Sequence, residues 1–179
     1  IFMVIDHFGQ VVLKNGIILN APYSMFTDEQ FDILMSTVNG CHILGRISFP
    51  IFCFLLAEGF FHTHSLKKYI LSLGIFALIS EPIYDLANTG NLFSLEQQNV
   101  LFTLSLGLSV LTTINKFNKN VIISCATIVI GAYISYICKL DGWYYGIALI
   151  SVFYLFHDMP VLKYTASILV MYICGLNFT

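Results

Sequence analysis

The sequence predicts an all-α bundle that crosses a lipid bilayer with six to seven helices, as a multi-pass protein of the cell membrane. Charged residues make up 10% of the chain and hydrophobic residues 58%, whereas a soluble domain carries about 25% charged residues. The mean hydropathy is +0.83. Uncharged runs cover residues 97–115 and 120–138, and a bilayer core needs about 20 apolar residues per helix. These runs are continuous rather than alternating, which favours helices over barrel strands.

We expect one transmembrane helical domain over residues 1–179. Its first helix is short for a span and opens without a flanking charge, which predicts a helix truncated at its N-terminus. The long connection over 14–40 is expected to hold at most a short surface helix, with Thr27 as its N-cap. The seven predicted segments are 1–13, 41–61, 69–87, 99–114, 121–140, 143–156 and 162–178.

Lysine placement predicts the orientation of the bundle. The loops at 62–68, 115–120 and 157–163 carry most of the lysines, whereas the alternate loops carry only Lys14 and Lys139 together with most of the acids. The positive-inside rule places the first set of loops in the cytoplasm and the connection over 14–40 outside. A net charge of −2 offers no basic surface for nucleic acid, so the expected partner is the lipid bilayer and not nucleic acid.

Ionisable side chains inside predicted spans are the strongest sign of a site, because each costs roughly 2.5–3.5 kcal/mol in the bilayer centre unless it has a partner or a role. Two polar clusters at different depths predict a passage through the bundle or a site that can be reached from both sides. The inner cluster contains Glu58, His62 and His64. The outer cluster contains Asp6, His7, Arg46, Glu81, Asn99 and Asp141, with Thr103 one helical turn from Asn99.

The first helix offers both a structural and a catalytic interpretation. Asp6 could neutralise Arg46 as a buried ion pair, and we expect these two side chains to meet. His7 could be a packed, hydrogen-bonded histidine, but a group that titrates near neutral pH inside a bundle is also a natural general base. In the catalytic case His7 should face a cavity shared with at least two of Arg46, Glu81, Asn99 and Asp141.

The other polar residues have structural interpretations as well. Glu81 precedes Pro82 and could cap a kink where the helix lacks a hydrogen bond. Asn99, Thr103 and Gly107 lie on one helix face, which also occurs where helices simply pack closely.

The inner cluster predicts no metal site. Glu58 and His62 are four residues apart and share a helix face, with His64 close by. However, the HExxH pattern is absent and no third ligand is evident.

Six stretches of the sequence match a known family in the family's order, from the start of the chain to about residue 147. Through them the chain resembles the TraX proteins, small membrane proteins linked to the acetylation of conjugative pilin. Ser72 departs from the family pattern, in which a basic residue is expected at that position. The stretches are MVIDH at 3–7, GRISFPIFCFLLAEGF at 45–60, HTHSLKKY at 62–69, ISEPIYDLA at 79–87, NVLFTLSLGL at 99–108 and DGWYYGI at 141–147.

The resemblance implies a transferase that uses acetyl-CoA, akin to transmembrane acyltransferases with a histidine in their first helix. His7 matches that histidine, and Asp6 precedes it. Arg46 or Asn99 would then stabilise the developing oxyanion. The positions expected to bind substrate or cofactor are Arg46, Glu58, Glu81, Asn99, Thr103 and Asp141. Lys67 and Lys68 could bind the phosphates of coenzyme A or could be ordinary positive-inside anchors.

Two other functions stay open at this point. Buried acids and histidines also serve as relays in proton-coupled transporters, and the charges could simply hold together a membrane assembly protein. The acyl acceptor is not named by the residues, and a peptide N-terminus, a sugar or a small molecule would each fit.

Overall fold

The structure is a computed structural model that describes residues 1–22 and 25–175. It is all-α, as predicted, and the one β pairing in the described residues is an isolated bridge between Gln98 and Leu140. The elements are α1 (Phe2–His7), a π-helical segment (Phe8–Ile18), α2 (Asp28–Gly45), α3 (Ser48–His62), α4 (Leu66–Thr89), α5 (Val100–Lys116), α6 (Val121–Ile137), α7 (Trp143–Leu155) and α8 (Pro160–Gly175). The predicted end of the last helix, at residue 178, lies outside the described residues.

The connection over 14–40 is mostly helical, so the expectation of at most a short surface helix was wrong. Helix α2 is 18 residues long. Thr27 caps it as predicted, because its hydroxyl accepts from the backbone N–H of Gln30 at 3.3 Å and its own N–H donates to the Gln30 side chain at 3.1 Å. Asp28 and Glu29 lie in the first turn, where the helix dipole favours negative charge. The acids that resembled a loop in the sequence therefore start a helix.

The predicted segment 41–61 is divided between two helices. Helix α2 ends at Gly45 and α3 begins at Ser48, with Arg46 and Ile47 at the junction. Pro50 lies in the first turn of α3, where its missing N–H has no intrahelical partner to lose. The proline is therefore compatible with the start of α3.

The core lies where α3, α5 and α7 meet. Cys53, Leu108, Ile147 and Tyr154 are fully buried there. A Cβ added to Gly107 would lie 2.5 Å from Cδ1 of Ile150, so this glycine lets α5 and α7 approach closely. For Gly107 the close-packing interpretation of the small-residue face is confirmed.

The lysine-rich loops meet at one end of the bundle, hereafter the lysine end. The hydroxyl of Tyr154 donates to the side-chain oxygen of Asn115 at 3.0 Å, and the rings of Phe61 and His157 lie 4.0 Å apart. The remaining loops meet at the opposite end, where the Gln98 N–H donates to the carbonyl of Lys139 at 3.0 Å. The grouping of loops is as predicted.

Two stretches, Asp28–His62 and Leu66–Thr89, are long and apolar enough to cross a membrane by length and composition. Only 22% and 11% of their most apolar windows are buried inside the protein. A core helix of a soluble protein would bury most of such a window, whereas lipid can cover an exposed one. Four further apolar helices are shorter: Val100–Lys116, Val121–Ile137, Trp143–Leu155 and Pro160–Cys174.

Candidate functional site

Asp6 and His42 form a hydrogen-bonded pair where α1 packs against α2. Nδ1 of His42 lies 2.6 Å from Oδ1 of Asp6, and Nε2 lies 3.0 Å from Oε1 of Gln10. Gly45 makes the approach possible, because a Cβ at that position would lie 2.3 Å from Cβ and 2.7 Å from Oδ1 of Asp6. The carboxylate therefore occupies space that only a glycine on α2 leaves free.

The expected ion pair between Asp6 and Arg46 does not form; the ionic partner that the structure gives Asp6 is His42. Arg46 lies at the exposed junction after α2. Asp6 and Arg46 line the same cavity. However, the side chain that contacts the Asp6 carboxylate is the imidazole of His42, one helical turn before Arg46. Sequence analysis missed His42, although its spacing of four residues from Arg46 puts both on one face of a helix.

A cavity of about 600 Å³, hereafter the polar cavity, lies at the end opposite the lysine end. Acidic, basic and aromatic side chains share its wall. They include Asp6, His42, Arg46, Gln97, Asp141 and Tyr145.

A second cavity of about 430 Å³, hereafter the apolar cavity, lies among α1, α3, α4 and α5. Helices α3 and α4 are joined by a short loop, and their backbones lie apart over most of their lengths, which leaves this space between them. Side chains still meet near the loop, where Tyr69 packs against Gly59. The walls of the apolar cavity are mainly leucine side chains together with Met3, Phe52 and Val100, and polar groups cluster near the end opposite the lysine end. Those polar residues are His7, Ser80, Tyr84 and Asn99, and Tyr69 lies towards the lysine end.

His7 does not share one cavity with the expected set of polar residues. It lines the apolar cavity, where Asn99 is the one expected partner, whereas Arg46 and Asp141 line the polar cavity. The reason is helix geometry, since neighbouring residues on a helix point about 100° apart. Asp6 and His7 therefore face different cavities, and α1 forms part of the wall between them.

Glu81 and Asn99 join α4 to the start of α5. Asn99 is 4% exposed; its backbone N–H donates to Oε2 of Glu81 at 3.1 Å, and its side-chain amide donates to the same oxygen and to the carbonyl of Ala77 at 2.9 Å. Its Oδ1 accepts from the Leu101 N–H as the cap of α5. Glu81 thus holds Asn99 rather than capping a kink at Pro82. Both amide hydrogens of Asn99 already have acceptors, which argues against the oxyanion role.

Asp141 lies in the turn between α6 and α7. Gln97 donates to its carboxylate at 3.2 Å, and the Thr103 hydroxyl donates to its backbone carbonyl. Burial raises the pKa of this carboxyl above its usual range, and the negative charge of Asp6 adds to the rise. Thr103 is fully buried and lies outside the linings of both cavities, so its contact with Asp141 is structural.

Glu58 lies at the lysine end, away from both cavities, and its partners are not His62 or His64. Its Oε1 is 3.3 Å from Nδ1 of His157 and 3.6 Å from Nζ of Lys163. Both partners were missed in the sequence because they follow Glu58 by about a hundred residues. Within residues 1–22 and 25–175, no group of three His, Cys, Asp or Glu side chains could hold a metal ion.

The fold is an α-helical bundle with two cavities and two stretches that are long and apolar enough to cross a membrane. The family model described as TraX protein matches residues 1–179, and the chain belongs to the TraX family. Over 72 residues the chain is 42% identical to "Probable fimbrial assembly protein FimC, serogroup H1" of Dichelobacter nodosus. This match covers 36% of the chain and 30% of that relative. No solved structure matches the chain.

Proposed function

We propose that the chain is a multi-pass membrane acyltransferase that moves an acetyl group from cytosolic acetyl-CoA to an amine or hydroxyl acceptor. An intramembrane histidine acts as general base. The observation that carries this proposal is the division of the bundle by α1. Asp6 and His7 are adjacent in sequence, yet they line the polar and the apolar cavity respectively. A reaction between two substrates that enter from opposite sides of a membrane needs reactive groups where the two entry routes come together, and α1 brings Asp6 and His7 to the boundary between the cavities.

The apolar cavity fits the donor side of this reaction. Tyr69 and Tyr84 both line it, and the α4 residues between them span about 22 Å of helix. The cavity therefore extends from near the lysine end towards His7. Lys67 and Lys68 lie in the first turn of α4, where they could meet the phosphates of coenzyme A.

The substitution His7→Ala tests the proposal. Loss of a group that transfers a proton in the transition state should lower the rate of acetyl transfer by about 100- to 10,000-fold, with little change in melting temperature. Acetyl transfer and thermal unfolding should be measured on the same detergent preparation. Phe8→Ala is the matched control, because Phe8 is the next residue, is 51% exposed and lines neither cavity. Retained activity in His7→Ala would contradict the proposal.

A role in fimbrial assembly is the second function with a specific observation behind it, namely the name of the matched relative. In that case a pilin subunit is the proposed acceptor, or the chain assists assembly without chemistry. Complementation separates the two. If His7→Ala protein fails in acetyl transfer but restores fimbriae to a strain lacking the protein, the assembly role needs no catalysis.

A further inference from the structure

We propose that His42, oriented by Asp6, is the general base that takes the proton from the acceptor in the polar cavity. This inference rests on the proposed function and assigns the base within it to a histidine that no sequence motif indicated. Asp6 is then a positioning residue, because it acts through His42.

The geometry of the pair carries the inference. Nδ1 of His42 lies 2.6 Å from the Asp6 carboxylate, so the carboxylate fixes which nitrogen carries the hydrogen and leaves Nε2 as the basic atom. The two side chains are 36% and 31% exposed and both line the polar cavity. The pair is thus reachable by a substrate, unlike a buried ion pair that only joins two helices.

The local sequence leaves room for this pair. Gly45 is the last residue of α2. It leaves the space that Asp6 occupies, since a Cβ would lie 2.3 Å from Cβ of Asp6. Gly40 lies on the same helix, and a Cβ added there would meet no packed neighbour within 4 Å, so close approach of α1 is specific to position 45.

Nε2 of His42 faces the side-chain amide of Gln10 at 3.0 Å. An amide can present either its oxygen or, after a half-turn, its nitrogen. Gln10 is not among the residues that line the polar cavity, so its amide must release Nε2 before an acceptor N–H or O–H in that cavity can donate to it. The titratable and charged side chains that share the polar cavity with His42 are Asp6 from α1, Arg46 after α2, Asp141 from the turn before α7 and Tyr145 from α7.

Protons and bonds balance in a single transfer step. The acceptor nitrogen or oxygen forms a bond to the thioester carbon while its proton passes to Nε2 of His42. The carbon–sulfur bond breaks, and the thiolate leaves on the side of the apolar cavity, where it takes a proton from the imidazolium form of His7. His42 then releases its proton to water in the polar cavity, and His7 regains one from water. No oxidant, reductant or metal is required.

The test uses the full chain in detergent, acetyl-CoA as donor, and water or glycinamide as acceptor, with release of the free thiol as the signal. We expect His42→Gln to lower kcat by about 100- to 10,000-fold and to remove the fall of kcat/KM at low pH. Asp6→Asn should lower kcat less and leave KM for the acceptor unchanged, because an asparagine keeps the size of Asp6 but no longer presents a carboxylate that can only accept from Nδ1 of His42.

Two glycine variants give a matched comparison that leaves both polar side chains in place. Gly45→Ala should reduce the rate as Asp6→Asn does, because the added Cβ displaces Asp6 from His42. Gly40→Ala should keep the rate of the unmodified chain.

Two results would overturn the role of His42 and leave the proposed function standing, provided that the unmodified chain is active. In the first, the His42→Gln variant keeps its rate. In the second, the variant loses its rate with an unchanged pH profile and a lowered melting temperature. No thiol release from the unmodified chain with either acceptor would remove the proposed function and this inference with it.

Discussion

Asn99 carries three tasks with one side chain. Its oxygen caps α5, its amide donates to α4, and it lines the apolar cavity beside His7. Each task uses a different atom, and Glu81 fixes the amide by accepting from it. The Asn99 amide is the donor and the Glu81 carboxylate the acceptor. Exchanging these roles requires a change at both positions, which makes the pair testable.

Asn99→Asp should destabilise the protein by about 1–3 kcal/mol, the cost of a lost partner at a buried polar group, because two carboxylates would then face each other. Adding Glu81→Gln restores a donor opposite an acceptor, and the coupling between the two substitutions should be about 0.5–3 kcal/mol. Thermal melting of the single and double variants in one detergent measures both quantities.

Asn120→Asp is the control for that series, because Asn120 is the exposed N-cap of α6 and a carboxylate at a helix N-terminus is favourable. Equal destabilisation by both Asn→Asp changes would show that the cap, and not Glu81, sets the effect at position 99.

The polar residues of the site could be found from the sequence, but their partners could not. Asp6 stood out because a carboxylate in a span needs a partner, and Arg46 was the nearest opposite charge at that depth. Which side chain meets Asp6 depends on the rotation of α2 about its axis and on the absence of a Cβ at Gly45. The hydropathy pattern indicates neither the rotation of α2 nor the space left at Gly45.

At the scale of elements, α2 shows how a helix can be hidden in a sequence. Its first half contains three acids, Asp28, Glu29 and Asp32, which lowered the apparent hydrophobicity and suggested a loop. The capping box formed by Thr27 and Gln30 was the better signal, because it starts a helix whatever follows.

Thr27→Ala should weaken the start of α2 by about 1 kcal/mol, because the Gln30 N–H loses its acceptor. Amide hydrogen exchange in the first turn of α2 should accelerate accordingly. Thr37→Ala is the control on the same helix, since the exposed Thr37 hydroxyl only bonds back to the carbonyl of Ile33. Such a bond adds little helix stability, so exchange should change by much less. Equal acceleration in both variants would contradict a capping role.

At the scale of the molecule, the helix sequence was predictable because long apolar runs have few alternatives in the chain. The helices from α4 to α7 follow the predicted segments closely. The division into two cavities was not predictable, because it arises from the separation of the α3 and α4 backbones and from the position of α1. Such features depend on how helices pack, while the sequence pattern indicates mainly where each helix begins and ends.

Charge at the two ends of the bundle predicts how it lies in the membrane. Lys67, Lys68, Lys116 and Lys119 are exposed at the lysine end. Lys163 is 7% exposed and 3.6 Å from the carboxylate of Glu58, so it should not count towards the positive-inside balance. The four exposed lysines still outnumber Lys14 and Lys139 at the opposite end, and the lysine end should therefore face the cytoplasm.

Cysteine labelling in intact cells tests that orientation. Asn91→Cys places a thiol in the exposed loop after α4, and Asp158→Cys places one in the exposed turn before α8. A membrane-impermeant maleimide should label position 91 in intact cells and position 158 only after permeabilisation. The reverse pattern would invert the orientation and move the polar cavity to the cytoplasmic side. Labelling of both positions in intact cells would contradict three spans, α5, α6 and α7, between them. Buried Cys53 can stay, while the native cysteines to be replaced first are Cys41, Cys125, Cys138 and Cys174.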